Sequence, residues 1–213
     1  MDPSKNIYKY ERKEVATFMR RLYDRELTTI SGGNISLRIT NQIILITPSA
    51  TDKGRMKWKE IGISTIFGEN LTPDLKPSIE LNMHLSIYKK KKDVMAIIHA
   101  HPVYASSFTA MKCKINTCLT SEACAILGDP VVVPYALMGT TELANLAAEN
   151  IMISDILLLE NHGILAAGSS LLQAFDKVEV LESAAKMTVI TEMLNKISPL
   201  SKSRVLQIKK LFR

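Results

Sequence analysis

Two pairs of β-type runs in this chain are each joined by three residues, and that spacing decides what kind of sheet it can build. Ile35–Ile39 and Ile43–Thr47 flank Thr40-Asn41-Gln42, and Ile156–Glu160 and Ile164–Ala167 flank Asn161-His162-Gly163. A parallel pair needs a crossover of about a dozen residues, so both pairs are expected to be antiparallel hairpins. Further strands are expected near Ile61–Ile66, over Val94–Ala100, which Pro102 ends, and over Val131–Pro134. Helical stripes alternate with these runs. Within Tyr8–Leu27, Val15, Phe18, Met19, Leu22 and Tyr23 recur at helical spacing. Helices are also predicted over Ser78 to about Lys90, Tyr104–Lys112, Glu122–Leu127, Thr140–Ile151, Leu171 to about Leu194 and Val205–Phe212. Ser78 is expected to cap its helix and to place Glu80 in the first turn, where the helix dipole favours a carboxylate. The expected fold class is α/β: a three-layer α/β/α domain with a central, mostly antiparallel sheet flanked by helices. No Gly/Ser linker divides the chain, so residues 1–213 are read as a single domain.

Composition narrows the function. Apolar residues make up 46% of the chain and charged residues 23%, enough for a sizeable core and too apolar for disorder. The longest apolar runs, such as Ile156–Leu159, are too short to span a bilayer. Met1–Glu14 is polar and charged where a secretory signal would be apolar, so a cytoplasmic location is expected. Cys113, Cys118 and Cys124 form an odd set without a CxxC pair, which fits neither a disulfide framework nor a cysteine zinc site; they are read as reduced, buried or incidental. The net charge of +6 suits a phosphorylated metabolite as well as nucleic acid or a membrane surface. Lys89–Lys92 closes a helix and is read as a solvated face, and no RNA motif, zinc-finger spacing or clear helix-turn-helix accompanies it. Neither nucleic acid nor membrane is expected as a partner.

The four histidines carry the chemistry. In a strand, residues i and i+2 share a face, so His99 and His101 aim two imidazoles at one point. His162, in a turn beside Gly163, can complete a three-histidine set with an open fourth position, as catalytic zinc uses. Glu80 is the natural fourth member, able to bind the metal or to leave it and take a proton. His84 competes with it, one helical turn further on, and local spacing leaves the choice open, although a buried, hydrogen-bonded histidine is the commoner fate. Three bends, Ser31-Gly32-Gly33-Asn34, Thr47-Pro48-Ser49-Ala50 and Pro77-Ser78, offer backbone N–H groups and hydroxyls to a phosphate dianion.

Five motifs in order, SGGNIS (Ser31–Ser36), ITPS (Ile46–Ser49), HAHP (His99–Pro102), GTTELA (Gly139–Ala144) and ENHG (Glu160–Gly163), resemble the class II aldolase/adducin family across roughly Glu14–Glu192. The resemblance is greatest to the branch that cleaves ketose 1-phosphates. It implies a helix-flanked, mostly antiparallel sheet, a homotetramer with active sites between subunits, and zinc or another divalent ion as cofactor. It implies that Glu80 is the catalytic acid/base and a metal ligand, that His99, His101 and His162 are the other ligands, and that His84 is not one. The substrate phosphate would lie against Gly33, Asn34, Ser49, Ala50, Ser78 and Ile79. The implied reaction is reversible cleavage of a ketose 1-phosphate, either L-fuculose 1-phosphate or a related deoxy- or methylthio-ribulose 1-phosphate, to dihydroxyacetone phosphate and an aldehyde.

Some positions depart from the fuculose-cleaving pattern: Ile79 stands where a serine is expected, Thr120 near a tyrosine, Met138 at a phenylalanine, and the tail Ser201–Arg213 lacks the tyrosine of that branch. These departures concern the aldehyde end. Glu122 keeps a methylthioribulose-1-phosphate dehydratase in play as a second carboxylate, a ribulose-phosphate 4-epimerase is another alternative, and a non-enzymatic adducin-like interaction domain is disfavoured by the complete metal set.

Overall fold

The computed structural model describes residues 7–212; Met1–Asn6, the start of the segment read as lacking a secretory signal, lie outside the described residues. In chain order the strands are β1 (Asn34–Arg38), β2 (Ile43–Ile46), β3 (Gly62–Thr65), β4 (Ala96–Ala100), β5 (Val131–Val133), β6 (Ile156–Leu159) and β7 (Gly163–Gly168). The helices are α1 (Lys9–Asp24), α2 (Leu81–Lys90), α3 (Val103–Ser107), α4 (Ser121–Leu127), α5 (Thr141–Asn150), α6 (Leu171–Met193) and α7 (Lys202–Phe212). The strands form one sheet in the order β3-β2-β1-β4-β7-β6-β5. Every pairing is antiparallel except β5 with β6, and both short connections, four residues between β1 and β2 and three between β6 and β7, close hairpins as expected.

Strand alternation sorts side chains into two cores. Ile35, Leu45, Ile98, Ile156 and Ile164 pack with Met19 and Leu22 of α1 and Phe175, Val178 and Leu181 of α6. Ile44, Ile97, Leu157 and Leu165 pack on the other face with Leu85 and Ile87 of α2 and Leu143 and Ala147 of α5. Each such aliphatic side chain contributes roughly 1.5–3 kcal/mol when fully buried. Strand β4 is buried along its whole length between these layers, so its register is fixed from both faces. Among the described residues no helix is long and apolar enough to cross a membrane.

Three expectations are corrected. The helix expected from Ser78 begins at Leu81, with Glu80 at the N-cap position (φ −94°, ψ 12°). Pro77 bridges Pro48 and Ser49 N–H donates to Lys76 O (3.0 Å), so the chain is held extended there; Ser78 Oγ instead accepts the Glu80 N–H at 3.2 Å. The helix expected over Tyr104–Lys112 stops at Ser107 and continues as a 3-10 turn, Phe108–Ala110. Its start is held by Glu182 of α6, whose carboxylate accepts the Tyr104 and Ala105 N–H groups at 2.9 and 2.7 Å. Within Lys89–Lys92, Lys91 is not a solvated charge: its Nζ donates to Asp155 Oδ1 (2.6 Å) and Ile151 O (3.3 Å).

Asp155 also accepts from Lys177 Nζ at 2.7 Å, a lysine side chain only 8% exposed whose other donation goes to Ala167 O. Burial would raise the Asp155 pKa, but Lys177 and Lys91 outweigh it and hold the carboxyl below its ordinary range. A depressed folded pKa contributes stability above the unfolded value and loses it as the pH falls through the folded one. Asp155→Asn should therefore cost roughly 1–2 kcal/mol at pH 7, low for a buried pair because 39% of the Asp155 side chain stays in water. In urea unfolding the difference from wild type should shrink steadily below about pH 4; a pH-independent difference would mean that the pair is not what Asp155 contributes.

Candidate metal centre

Strand β4 lies between β1 and β7, which sets His99 opposite Asn34 on one side and Leu165 on the other. His99 is fully buried, and its Nδ1 lies 2.9 Å from Ile164 O. A carbonyl only accepts, so Nδ1 carries the proton and Nε2 presents a lone pair. His101 Nε2 faces that atom at 2.9 Å, the two rings meeting edge-on with centroids 4.7 Å apart. His162 sits in the β6–β7 turn, its ring centroid 4.7 Å from that of His99 and 5.6 Å from that of His101. One nitrogen from each ring falls within 4.8 Å of the others, so this cluster could hold a metal ion.

The ENHG turn is itself fixed from several sides. Glu160 Oε2 accepts the Tyr135 N–H (2.8 Å), Asn161 N–H donates to Thr109 O (3.1 Å), and Asn161 takes a positive φ of 52°. Two glycines make the slot for His101. A Cβ on Gly32 would stand 2.8 Å from His101 Nδ1, and one on Gly163 would stand 2.4 Å from its Cδ2. In the sequence these glycines read only as turn formers; their second duty, letting an imidazole lie flush against the backbone, depends on contacts between distant segments.

Glu80, only 5% exposed, closes the cluster. Its Oε2 accepts from Asn34 Nδ2 at 2.7 Å and lies 3.3 Å from His99 Nε2. Its Oε1 lies 3.5 Å from His162 Nε2 and is buried without a hydrogen-bond partner. Burial would raise the carboxyl pKa, yet His99, the Asn34 hydrogen bond, His162 and His84 together hold it below its ordinary value. The imidazole pKa values fall as well, here through burial itself: burial, then His99 and His162, pushes His101 down to about 3 against the pull of Glu80, and burial and His99 lower His162 against the same pull. An ionised carboxylate with an unpaired oxygen beside neutral imidazoles is a donor set for a divalent ion. The residues fit the metal on this observation.

His84 stands apart from the cluster. Its Nδ1 meets Ser36 Oγ at 2.6 Å and its Nε2 meets Asn34 Oδ1 at 2.5 Å, so both nitrogens are engaged, and burial pushes its pKa down to about 3. Ser36 Oγ continues to Tyr88 OH at 2.8 Å, and Arg38 Nη2 donates to Tyr88 O. Asn34, Ser36 and Arg38 of β1 thus face Glu80 at the N-cap of α2 and His84 and Tyr88 within it, rung for rung. The match has a metric cause: two strand residues rise about 6.7 Å and four helix residues about 6.0 Å. Ser36, Arg38 and Tyr88 were not among the expected site residues. The signal was N-x-S-x-R in a buried strand against E-x-x-x-H-x-x-x-Y in a helix, which only shows once the two elements are known to face each other.

The three bends meet. Ile35 N–H donates to Thr47 Oγ1 and Thr47 N–H to Ile35 O, both at 3.0 Å, while the Pro48–Pro77 bridge joins the second bend to the third. Gly33 (φ 66°) and Ala50 (φ 51°) both take left-handed backbone. Ser49 is half-buried, Ser78 is buried and Ile79 is 53% exposed beside Gly139, whose Cβ would stand 3.3 Å from Ile79 O. The Asn34 amide is committed at both ends to Glu80 and His84. Thr120 caps α4 by accepting the Ala123 N–H at 3.1 Å, and Glu122 is exposed in the first turn of that helix, where the dipole favours it.

Residues 13–189 match the model of the class II aldolase and adducin N-terminal domain. The chain belongs to this family. An L-fuculose phosphate aldolase of Methanococcus maripaludis is 36% identical over 181 residues, 85% of this chain and 97% of the relative. A 5-deoxy-D-ribulose 1-phosphate aldolase of Bacillus thuringiensis is 30% identical over 204 residues, 95% of each chain. The solved structure of an L-fuculose 1-phosphate aldolase matches with a TM-score of 0.86 at 32% identity, covering 94% of this chain and 95% of that one. In this class II aldolase-family chain, Gly163→Ala should push the His101 ring out of its slot and weaken zinc binding by at least about tenfold, with far-UV circular dichroism unchanged. Calorimetric titration of metal-free protein decides it; wild-type affinity would remove His101 from the donor set.

Proposed function

We propose that this chain, as one domain over 1–213, catalyses the reversible cleavage of a ketose 1-phosphate to dihydroxyacetone phosphate and an aldehyde. The substrate would be L-fuculose 1-phosphate or a related deoxy- or methylthio-ribulose 1-phosphate. One observation carries the reading: a buried, ionised carboxylate, Glu80, whose Oε1 has no hydrogen-bond partner, lies beside a cluster of three imidazoles, Oε1 near His162 and Oε2 near His99. His99, His101 and His162 would hold zinc, with Glu80 as fourth ligand, and the ion when bound would supply Lewis acidity at a substrate carbonyl. Glu80 moves the proton. In the synthetic direction its Oε1 takes a proton from the hydroxymethyl carbon of dihydroxyacetone phosphate, whose C–H electron pair then forms the new carbon–carbon bond to the aldehyde, and the aldehyde oxygen takes a proton from water to become the new hydroxyl; in cleavage that hydroxyl gives its proton to water and Oε1 returns its own to the carbon. Gly33, Asn34, Ser49, Ala50, Ser78 and Ile79 would line the phosphate, Asn34 through its backbone because its side chain is engaged. A fixed phosphate orients the reacting carbons, so its binding energy is used in turnover.

Exposed Ile79, Tyr135, Leu137 and Met138 on neighbouring segments support assembly as a homotetramer with sites between subunits, and a cytoplasmic location belongs to the same reading. The complete donor set disfavours a non-enzymatic adducin-like role. A dehydratase needs a second carboxylate at the metal, and exposed Glu122, at the dipole-favoured end of α4, has an ordinary structural explanation.

Zinc-loaded protein incubated with a panel of ketose 1-phosphates should release dihydroxyacetone phosphate, whereas loss of water or of carbon dioxide would assign another reaction. Glu80→Gln should retain the fold and abolish deuterium exchange from solvent into dihydroxyacetone phosphate; wild-type exchange would place the base elsewhere. Ser49→Ala combined with Ser78→Ala should lower kcat/KM for the phosphorylated ketose by about tenfold or more while hardly changing the slow reaction of the free sugar. Equal losses on both would refute the phosphate assignment.

A further inference from the structure

The polar ladder between β1 and α2 has a direction. Oε2 of Glu80 accepts, so the Asn34 group facing it at 2.7 Å is the amide N–H, and the Asn34 carbonyl faces His84. The reverse orientation would set carbonyl oxygen against carboxylate oxygen. Facing a carbonyl at 2.5 Å, His84 Nε2 must carry a proton. A fully buried imidazole in its neutral form then has a bare Nδ1, which accepts the Ser36 O–H at 2.6 Å. With its own proton committed to His84, Ser36 Oγ accepts the Tyr88 O–H at 2.8 Å, the shorter of that hydroxyl's two contacts, the other being Met95 O at 3.4 Å. Every donor in the series therefore points toward Glu80.

We propose that His84, held by Ser36 and Tyr88, is a positioning residue that locks the Asn34 amide so that it donates to Glu80 Oε2 and leaves Oε1 as the oxygen that moves the proton. The inference rests on the reading of Glu80 as the base, and it adds a division of labour between the two carboxylate oxygens. Asn34 alone could turn its amide over, because its oxygen and nitrogen ends are nearly the same shape. The Nε2–H of His84 at its back removes that freedom, because only the carbonyl end can accept its donation. The series ends in the interior: Tyr88 is fully buried, its ring lies 4.7 Å from the Arg38 guanidinium, and no solvent competes for any rung. A chain of aligned donors of this kind polarises its last member, strengthening the Asn34 donation.

Two-bond 1H–15N correlation of the histidine rings in metal-free protein tests the direction without any turnover. His84 should be the Nε2–H tautomer; an Nδ1–H or doubly protonated ring overturns the proposal. The positioning role is tested by His84→Gln, whose side-chain amide can still donate to Asn34, against His84→Leu, which cannot. His84→Gln should keep kcat within about threefold of wild type, and His84→Leu should lose about ten- to a hundredfold in kcat with KM and bound zinc unchanged. Equal impairment of both variants, or an unimpaired leucine variant, refutes the role. Should the leucine variant fail to fold, Tyr88→Phe, which removes only the first donor, must lower kcat without moving KM, and wild-type kcat there refutes the proposal. If Glu80→Gln keeps its exchange, the reading of the base fails while the tautomer measurement still decides the direction of the ladder.

Discussion

The constraint on which this structure turns is a charge placed inside the protein. Glu80 is ionised and almost wholly removed from water, a state that costs several kcal/mol unless neighbours compensate. The compensation comes from four segments: Asn34 in β1, His99 at the end of β4, His162 in the β6–β7 turn and His84 in α2. Each must arrive in register. That is why β4 sits at the centre of the sheet between β1 and β7, and why α2 starts at Leu81 with Glu80 as its N-cap residue where Ser78 alone would have started it earlier. Gly32 and Gly163 answer the same demand, since any side chain there would occupy the volume of the His101 ring.

Opposite responses to burial separate the roles at the site. His101 and His162 favour the neutral form because burial outweighs the pull of Glu80, while the carboxylate stays charged because its neighbours outweigh burial. Neutral nitrogen donors and one anionic oxygen are what a divalent ion requires, and a carboxylate that can leave the ion is what proton transfer requires. A cluster of titratable groups whose pKa values one buried environment perturbs is a general mark of functional sites.

The sequence made legible whatever depended on short-range periodicity. The two hairpins followed from short connections, the His99–His101 clamp from strand alternation, and helix α1 from its stripe of Val15, Phe18, Met19, Leu22 and Tyr23. What stayed hidden depended on segments distant in the chain. Ser78 looks like a cap until Pro77 is seen bridged to Pro48, and Lys91 looks solvated until Asp155 arrives beside it from the strand β6 side. His84 could not be distinguished from a ligand by spacing alone, because one helical turn from Glu80 puts it on the same face. Only the presence of Ser36 and Asn34 on its two nitrogens assigns it. The positions that depart from the fuculose-cleaving pattern differ in their surroundings: Thr120 is spent on capping α4, whereas Ile79 and Met138 are exposed.

The central claim is that three imidazoles and a carboxylate form one metal centre, and X-ray absorption at the metal edge of the zinc-loaded protein tests it most directly. The account predicts a first shell of nitrogen and oxygen at about 2.0–2.2 Å, with outer-shell scattering from three imidazole rings. A shell containing sulfur at about 2.3 Å, or one with fewer than three imidazoles, would contradict it.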